Sequence, residues 1–143
     1  MLTIIRPIGE YGPLFELKVF VTSFRAQALK LSNREVAKPI STIGLLDTGA
    51  DCTLIDVGAI KSLRLAPTSL TTISCLDTPG DKGQLRRSFD VDLVFVDGDL
   101  SSPKFTMAVA EHSFGNLPYR ALIGRDLLKH CSFNYVGEEA QVI

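Results

Sequence analysis

The sequence predicts a small, mainly β domain: a partly closed barrel of short strands with one or two short helices. Three observations point there. Segments of alternating apolar and polar residues, rich in β-branched and aromatic types, recur along most of the chain. Helical spacing of apolar residues stands out in only two short places. The 143 residues show no repeat, low-complexity tract or linker, which suits a single domain over residues 1–143 that needs no disulfide or metal staple.

The elements follow in order. Phe15–Val21 alternates and reads as a strand, and Ser41–Leu46 is a short apolar strand that runs into Asp47. Leu70–Leu76 reads as another. Phe89–Val96 alternates, which puts Asp90 and Asp92 on a polar face; Asp97-Gly98 marks a turn, and Pro103–Ala110 returns beside it. Arg120–Ile123 is a brief strand, and Ser132–Val136 with Ala140–Ile143 makes a closing hairpin about Gly137. Asp56 is an N-cap for a helix reaching Leu63, with Val57, Ile60 and Leu63 at helical spacing. A second short helix is expected from Arg125 to His130, after Gly124. Residues 22–40 stay open between a helical turn over Phe24–Leu31 and a long strand connection ending at Pro39.

Composition excludes several classes. With 45% hydrophobic and 22% charged residues the chain is not of the disordered type. A net charge of −1 gives no electrostatic footprint for nucleic acid or an anionic membrane, and the densest basic pair, Arg86-Arg87, reads as a solvated loop. Three cysteines, Cys52, Cys75 and Cys131, without C-x-x-C spacing, make neither a disulfide framework nor a zinc site, and two histidines add too few ligands. No metal or cofactor is therefore expected. The apolar start stops at Arg6, short of a signal peptide, and no apolar run approaches the ~20 residues of a membrane helix. A reducing, cytoplasmic setting without membrane contact is the expectation.

The chemistry concentrates in Leu45-Leu46-Asp47-Thr48-Gly49-Ala50-Asp51. An apolar strand delivers an aspartate into a turn built from a small hydroxyl residue and a glycine. Gly49 lets backbone approach the carboxylate so that main-chain N–H groups can orient it. Downstream lies Ala121-Leu122-Ile123-Gly124-Arg125-Asp126-Leu127-Leu128, two apolar residues and a glycine leading into a short helix.

In that order, with strands between them, the two segments resemble the retropepsin-like (retroviral-type) aspartic peptidase family, in the style of its single-domain bacterial and retroelement members. The resemblance covers roughly residues 15–135. It implies the barrel of the retroviral aspartic proteases with a flap hairpin, and a homodimer acting on a peptide or protein substrate. Asp47 would be the catalytic aspartate, and Thr48 and Gly49 would complete the active-site turn, Thr48 in a dimer-spanning hydrogen-bond network. Leu122, Ile123 and Gly124 would pack around that turn, and Arg125 would pair with Asp51. Substrate contacts would come from Gly49, Ala50, Asp51, Leu76, Leu85, Leu117 and Pro118, the last two within the loop Phe114–Pro118. The flap would be the hairpin between Cys75 and Phe89, with its tip at Pro79–Gly83. That tip is charged where retroviral flaps are glycine-rich and apolar, and the expected helix after Asp56 is absent from retroviral enzymes.

Leu76-Asp77-Thr78-Pro79-Gly80 is a decoy, interrupted by Pro79. With one good copy of the motif, a second aspartate would have to come from another subunit, and a twofold axis brings a residue to its own copy. The expected function is peptide-bond hydrolysis by water activated between two Asp47 carboxylates. An aspartyl-nucleophile phosphatase needs a different interval between its acids, and neither His112 nor His130 sits in a nucleophile context. The rival expectation is a catalytically weak or inactive module of the same fold that dimerises or binds peptides.

Overall fold

The computed structural model describes residues 3–73 and 83–143. Its strands are β1 (Ile4–Gly9), β2 (Gly12–Val21), β3 (Ile40–Leu46), β4 (Leu54–Asp56), β5 (Ser69–Ile73), β6 (Gln84–Asp97), β7 (Leu100–Ser101), β8 (Phe105–His112), β9 (Ala121–Ile123), β10 (Phe133–Val136) and β11 (Glu139–Val142). Three helices interrupt them: α1 (Ser23–Leu31), α2 (Val57–Ser62) and α3 (Arg125–Leu128). Within residues 22–40, left open in the sequence, Ser23–Leu31 is thus helical, and the helices among the described residues exceed the one or two expected.

Six strands close on themselves. The path runs β2-β3-β9-β4-β8-β6, and β6 pairs back onto β2, from Glu16↔Val96 to Val21↔Val91. The alternation in β2 turns Phe15, Leu17, Val19 and Val21 into the barrel, where they meet Phe89, Val91, Leu93 and Phe95 of β6. Phe15 and Phe95 stack edge to face with centroids 6.0 Å apart. Each such side chain contributes about 1.5–3 kcal/mol on leaving water, so this row is the main source of stability. β1 adds a strand at the chain's start that sequence alternation did not reveal. It pairs with β11, which pairs with β10, so both ends of the described chain share one antiparallel sheet.

One expectation fails on β6. Asp90 is exposed, but Asp92 is only 1% exposed, so the face assigned to solvent is covered at that point. The strand is paired on both edges, to β2 and to β8, and the start of α1 lies over it. The Asp92 carboxylate is well supplied: it accepts from the Ser23 N–H (3.1 Å), the Ser23 hydroxyl (3.3 Å) and the Thr106 hydroxyl (2.6 Å), and Lys104 stands 3.5 Å away. The Arg86-Arg87 pair also lies on β6 rather than in a loop, and Arg87 makes a two-bond pair with Glu111 on β8 at 2.7 and 3.0 Å.

The helices start where capping residues allow. Thr22 accepts from the Arg25 N–H at the head of α1, and Asp56 accepts from the Gly58 N–H at the head of α2. α1 contains helix-favouring Ala26, Ala28, Leu29 and Lys30 and ends just before Asn33, which takes the left-handed conformation (φ 55°). α2 buries Ile60 and the following Leu63. α3 is shorter than expected, stopping at Leu128. No helix among the described residues is long and apolar enough to cross a membrane.

Candidate active site

Asp47 follows directly on β3, one of the barrel strands. β3 runs parallel to β9 with Leu45 opposite Leu122 and Leu46 opposite Ile123. The Asp47 N–H donates to the Ile123 carbonyl at 3.0 Å, so the ladder continues one residue past the strand and fixes where the aspartate leaves it. The chain then turns, with the Ala50 N–H returning to the Asp47 carbonyl at 3.1 Å. Within the turn the Gly49 N–H donates to Asp47 Oδ1 at 2.9 Å, which orients the carboxylate from its own backbone. A Cβ at position 49 would sit 3.2 Å from that same oxygen, tighter than ordinary contact. Asp47 is half-buried, while Thr48 and Gly49 are exposed. The Thr48 side chain has no hydrogen-bond partner among the described residues of the single chain.

A second layer holds the turn from behind. The Arg125 N–H, at the head of α3, donates to the Ala50 carbonyl at 2.9 Å. Gly124 packs so tightly against the chain after the turn that a Cβ there would lie 2.6 Å from both the carbonyl carbon and the oxygen of Cys52. The Thr53 hydroxyl donates to Asp126 Oδ1 at 2.7 Å and accepts from the Gly124 N–H at 3.1 Å, while the Thr53 N–H donates to Asp126 Oδ2 at 3.0 Å. Asp126 also accepts from the Leu127 N–H at 2.8 Å. Thr53 is fully buried, and every polar atom it brings into the core is matched. Arg125 and Asp51 form an ion pair, with 58% and 85% of their side chains exposed. Such exposure makes it a weak contributor to stability.

Other residues singled out from the sequence fall less closely together. Ala50 is half-buried in the turn, Leu122 packs on a small cluster of Leu54, Ala110 and Phe114, and Ile123 and Gly124 are buried. That cluster also takes in Cys52, Ile73 and Tyr119, so it stands beside the acidic turn. Leu117 (39% exposed) and Pro118 lie in the loop before β9, which Arg120 braces by donating to the Gly115 carbonyl at 2.7 Å. Leu85 is 67% exposed on β6, opposite Thr72 of β5. β5 and β6 pair antiparallel, from Ser69↔Ser88 to Ile73↔Gln84, and flank the stretch between Cys75 and Phe89 in which the flap hairpin is expected. Its tip through Lys82, with Cys75, Leu76 and the decoy Leu76–Gly80, lies outside the described residues.

Sequence reasoning gave no role to Thr53 or Asp126. Their signal was present, since an acid in the first turn of a helix is a natural hydrogen-bond acceptor, but its partner sits 73 positions away. Cys52 is half-buried, and burial followed by the nearby Asp126 pushes its thiol above the usual range. That favours the inert thiol over a nucleophile. A cleft of about 450 Å³ is lined by Phe95, Phe105, His130 and Val142, apart from the residues of the Asp47 turn.

No family model and no curated protein matches the sequence. Solved structures do match. A retropepsin-like aspartic protease from Rickettsia conorii superposes with a TM-score of 0.56 and 17% identity over 98% of this chain and 89% of that one. The chain has the retropepsin-like fold. A foamy viral protease–reverse transcriptase, solved with an RNA/DNA hybrid, matches at a TM-score of 0.53 and 19% identity, over 87% of this chain and 13% of that chain. On the retropepsin-like fold of this chain, the Asp-Thr-Gly turn leaves barrel strand β3 and is backed by the Gly-Arg-Asp segment.

Proposed function

We propose that the protein is an aspartic endopeptidase that works as a homodimer, each subunit supplying Asp47 to one shared pair. The observation that carries this reading is the seat of Asp47: a carboxylate at the end of a barrel strand, oriented by the Gly49 N–H and clasped through its own amide to Ile123. The retropepsin-like fold supports it, as does the exposed Thr48 beside Asp47, free to bond across a twofold axis. Two carboxylates held about 3 Å apart share one proton. The ionised member takes a proton from the water between them, and the protonated member donates a hydrogen bond to the scissile carbonyl oxygen. The water attacks, and the pair passes a proton to the leaving amine. An extended peptide would lie between the cleft floor and the β5–β6 hairpin, pairing by its backbone in the manner of strand addition. A reducing, cytoplasmic setting belongs to the same reading.

The rival is a module of the same fold that dimerises or binds peptides without cutting them. It draws on the charged residues Asp81 and Lys82 at the expected flap tip. One experiment separates the two. Purified wild-type protein is incubated with a peptide library beside Asp47→Asn, and the solution mass of each is measured. The endopeptidase reading expects cleavage by the wild type only, from a dimer in both cases. Cleavage by Asp47→Asn at the wild-type rate, or hydrolysis by a strict monomer, would overturn it.

A further inference from the structure

The chain carries a net charge of −1, yet its basic residues are not evenly spread. Between Ser23 and Lys38 stand Arg25, Lys30, Arg34 and Lys38 against the single acid Glu35. The fold folds part of this run over the end of α2. A small cleft of about 210 Å³ results, with Leu29, Ala37 and Leu63 as its apolar walls and Arg25, Arg34, Arg64 and Glu35 as its polar ones. Three arginines therefore line one concavity, with one glutamate among them.

Two further observations mark these arginines as unsatisfied. Arg25 Nε is shielded from solvent and has no hydrogen-bond partner among the described residues, and a buried donor left unpaired is unfavourable. Arg64 follows the end of α2 with φ 54°. That left-handed conformation suits glycine better than arginine. Arg64 lines the cleft, where its one ion pair among the described residues is a loose one to Glu35 at 3.9 Å. Glu35 is 81% exposed in its side chain, so it can swing aside at little cost. The Arg34 side chain has no hydrogen bond or ion pair among the described residues.

We infer that this cleft binds a small phosphate-bearing anion. Guanidinium forks match phosphate oxygens two at a time, and three of them offer more donors than a carboxylate could accept. The volume is below the ~300–1,000 Å³ of sites for drug-sized ligands, which suits a phosphate group with at most a small substituent. Bound there, the anion would give Arg25 Nε an acceptor and tie the α1–β3 connection to the end of α2. The site is separate from the Asp47 turn, and its test does not use peptidase activity.

The test is a calorimetric titration of the full chain with inorganic phosphate and, in a second arm, with free phosphoserine, at constant ionic strength set by chloride. Saturable one-to-one binding is expected in at least one arm, and the tighter arm identifies free phosphate or an ester as the natural form. Arg34→Ala combined with Arg64→Ala, both on exposed positions, should weaken binding more than about tenfold, since each lost charged hydrogen bond is worth that much. Glu35→Gln removes the competing carboxylate and should tighten it. Circular dichroism verifies that each variant is folded. Absence of saturable binding in both arms, or equal binding by wild type and double variant, would overturn the assignment.

Discussion

The Thr53 hydroxyl lies 2.7 Å from a carboxylate oxygen of Asp126, and it also receives the Gly124 N–H at 3.1 Å. One buried side chain thereby joins the strand after the acidic turn to the loop and helix that back it. Thr53→Val keeps the shape and removes the hydroxyl, leaving the buried Gly124 N–H and one Asp126 lone pair unmatched. The expected loss is about 2 kcal/mol. Urea denaturation should show a lower midpoint with an unchanged slope. An unchanged midpoint would mean that water replaces the hydroxyl without cost.

Gly124→Ala tests the packing behind the turn. The added methyl would lie 2.6 Å from backbone atoms of Cys52, which cannot rotate away as a side chain would. The expected destabilisation is about 3 kcal/mol, at the upper end for overpacked cores. Denaturant melts check it, and a loss under about 1 kcal/mol would show that α3 slides freely relative to the turn.

Asp92 offers a separate test, remote from the acidic turn. Its carboxylate satisfies the head of α1, the Thr106 hydroxyl and Lys104 while almost wholly buried. Asp92→Ala should cost about 3 kcal/mol, because it strands several donors at once. Hydrogen exchange should quicken first at the start of α1. Uniform quickening across the molecule would indicate that α1 does not depend on this contact.

His112 predicts acid sensitivity. Burial, then the charge of Arg86, holds its imidazole below the ordinary value of 6.5, against the opposing pull of Asp56. Its Nδ1 is buried without a hydrogen-bond partner among the described residues, and its ring meets Phe114 edge to face. The fold prefers the neutral ring, so the unfolded chain binds the proton more readily. This contribution is intact above the ordinary histidine range and is lost as pH falls through it. Unfolding free energy measured between about pH 7.5 and pH 5 should fall more steeply for the wild type than for His112→Gln. Parallel profiles would clear His112 of the effect.

The parts of this molecule that can be read locally were legible in its sequence. A strand that runs into Asp-Thr-Gly, and a glycine before a short helix, are contiguous signals, and both sit as their neighbours dictate. The β5–β6 and β10–β11 hairpins likewise announce themselves through alternation and turn residues. What escaped was set at a distance. Alternation in β6 correctly separates two faces but does not say which has a cover, so Asp92 was placed toward water although Ser23, far back in the chain, reaches it. Arg86-Arg87 suggested a loop because charge was weighed without Glu111, its partner on the next strand over. β1 is stabilised by the far end of the chain. The roles of Thr53 and Asp126 exist only once their two segments meet.

The parallel pairing of β3 with β9 has a bearing on synthesis. The amide of Asp47 donates to Ile123, and β3 lacks that neighbour until the far-off residues of β9 have been made. A nascent polypeptide leaving the ribosome would expose its acidic turn first and hold it unanchored until Ile123 has emerged. Fragments that stop short of Ala121 contain every atom of that turn but none of the strand that seats it. Assembly of this region therefore waits on residues made long after the turn itself.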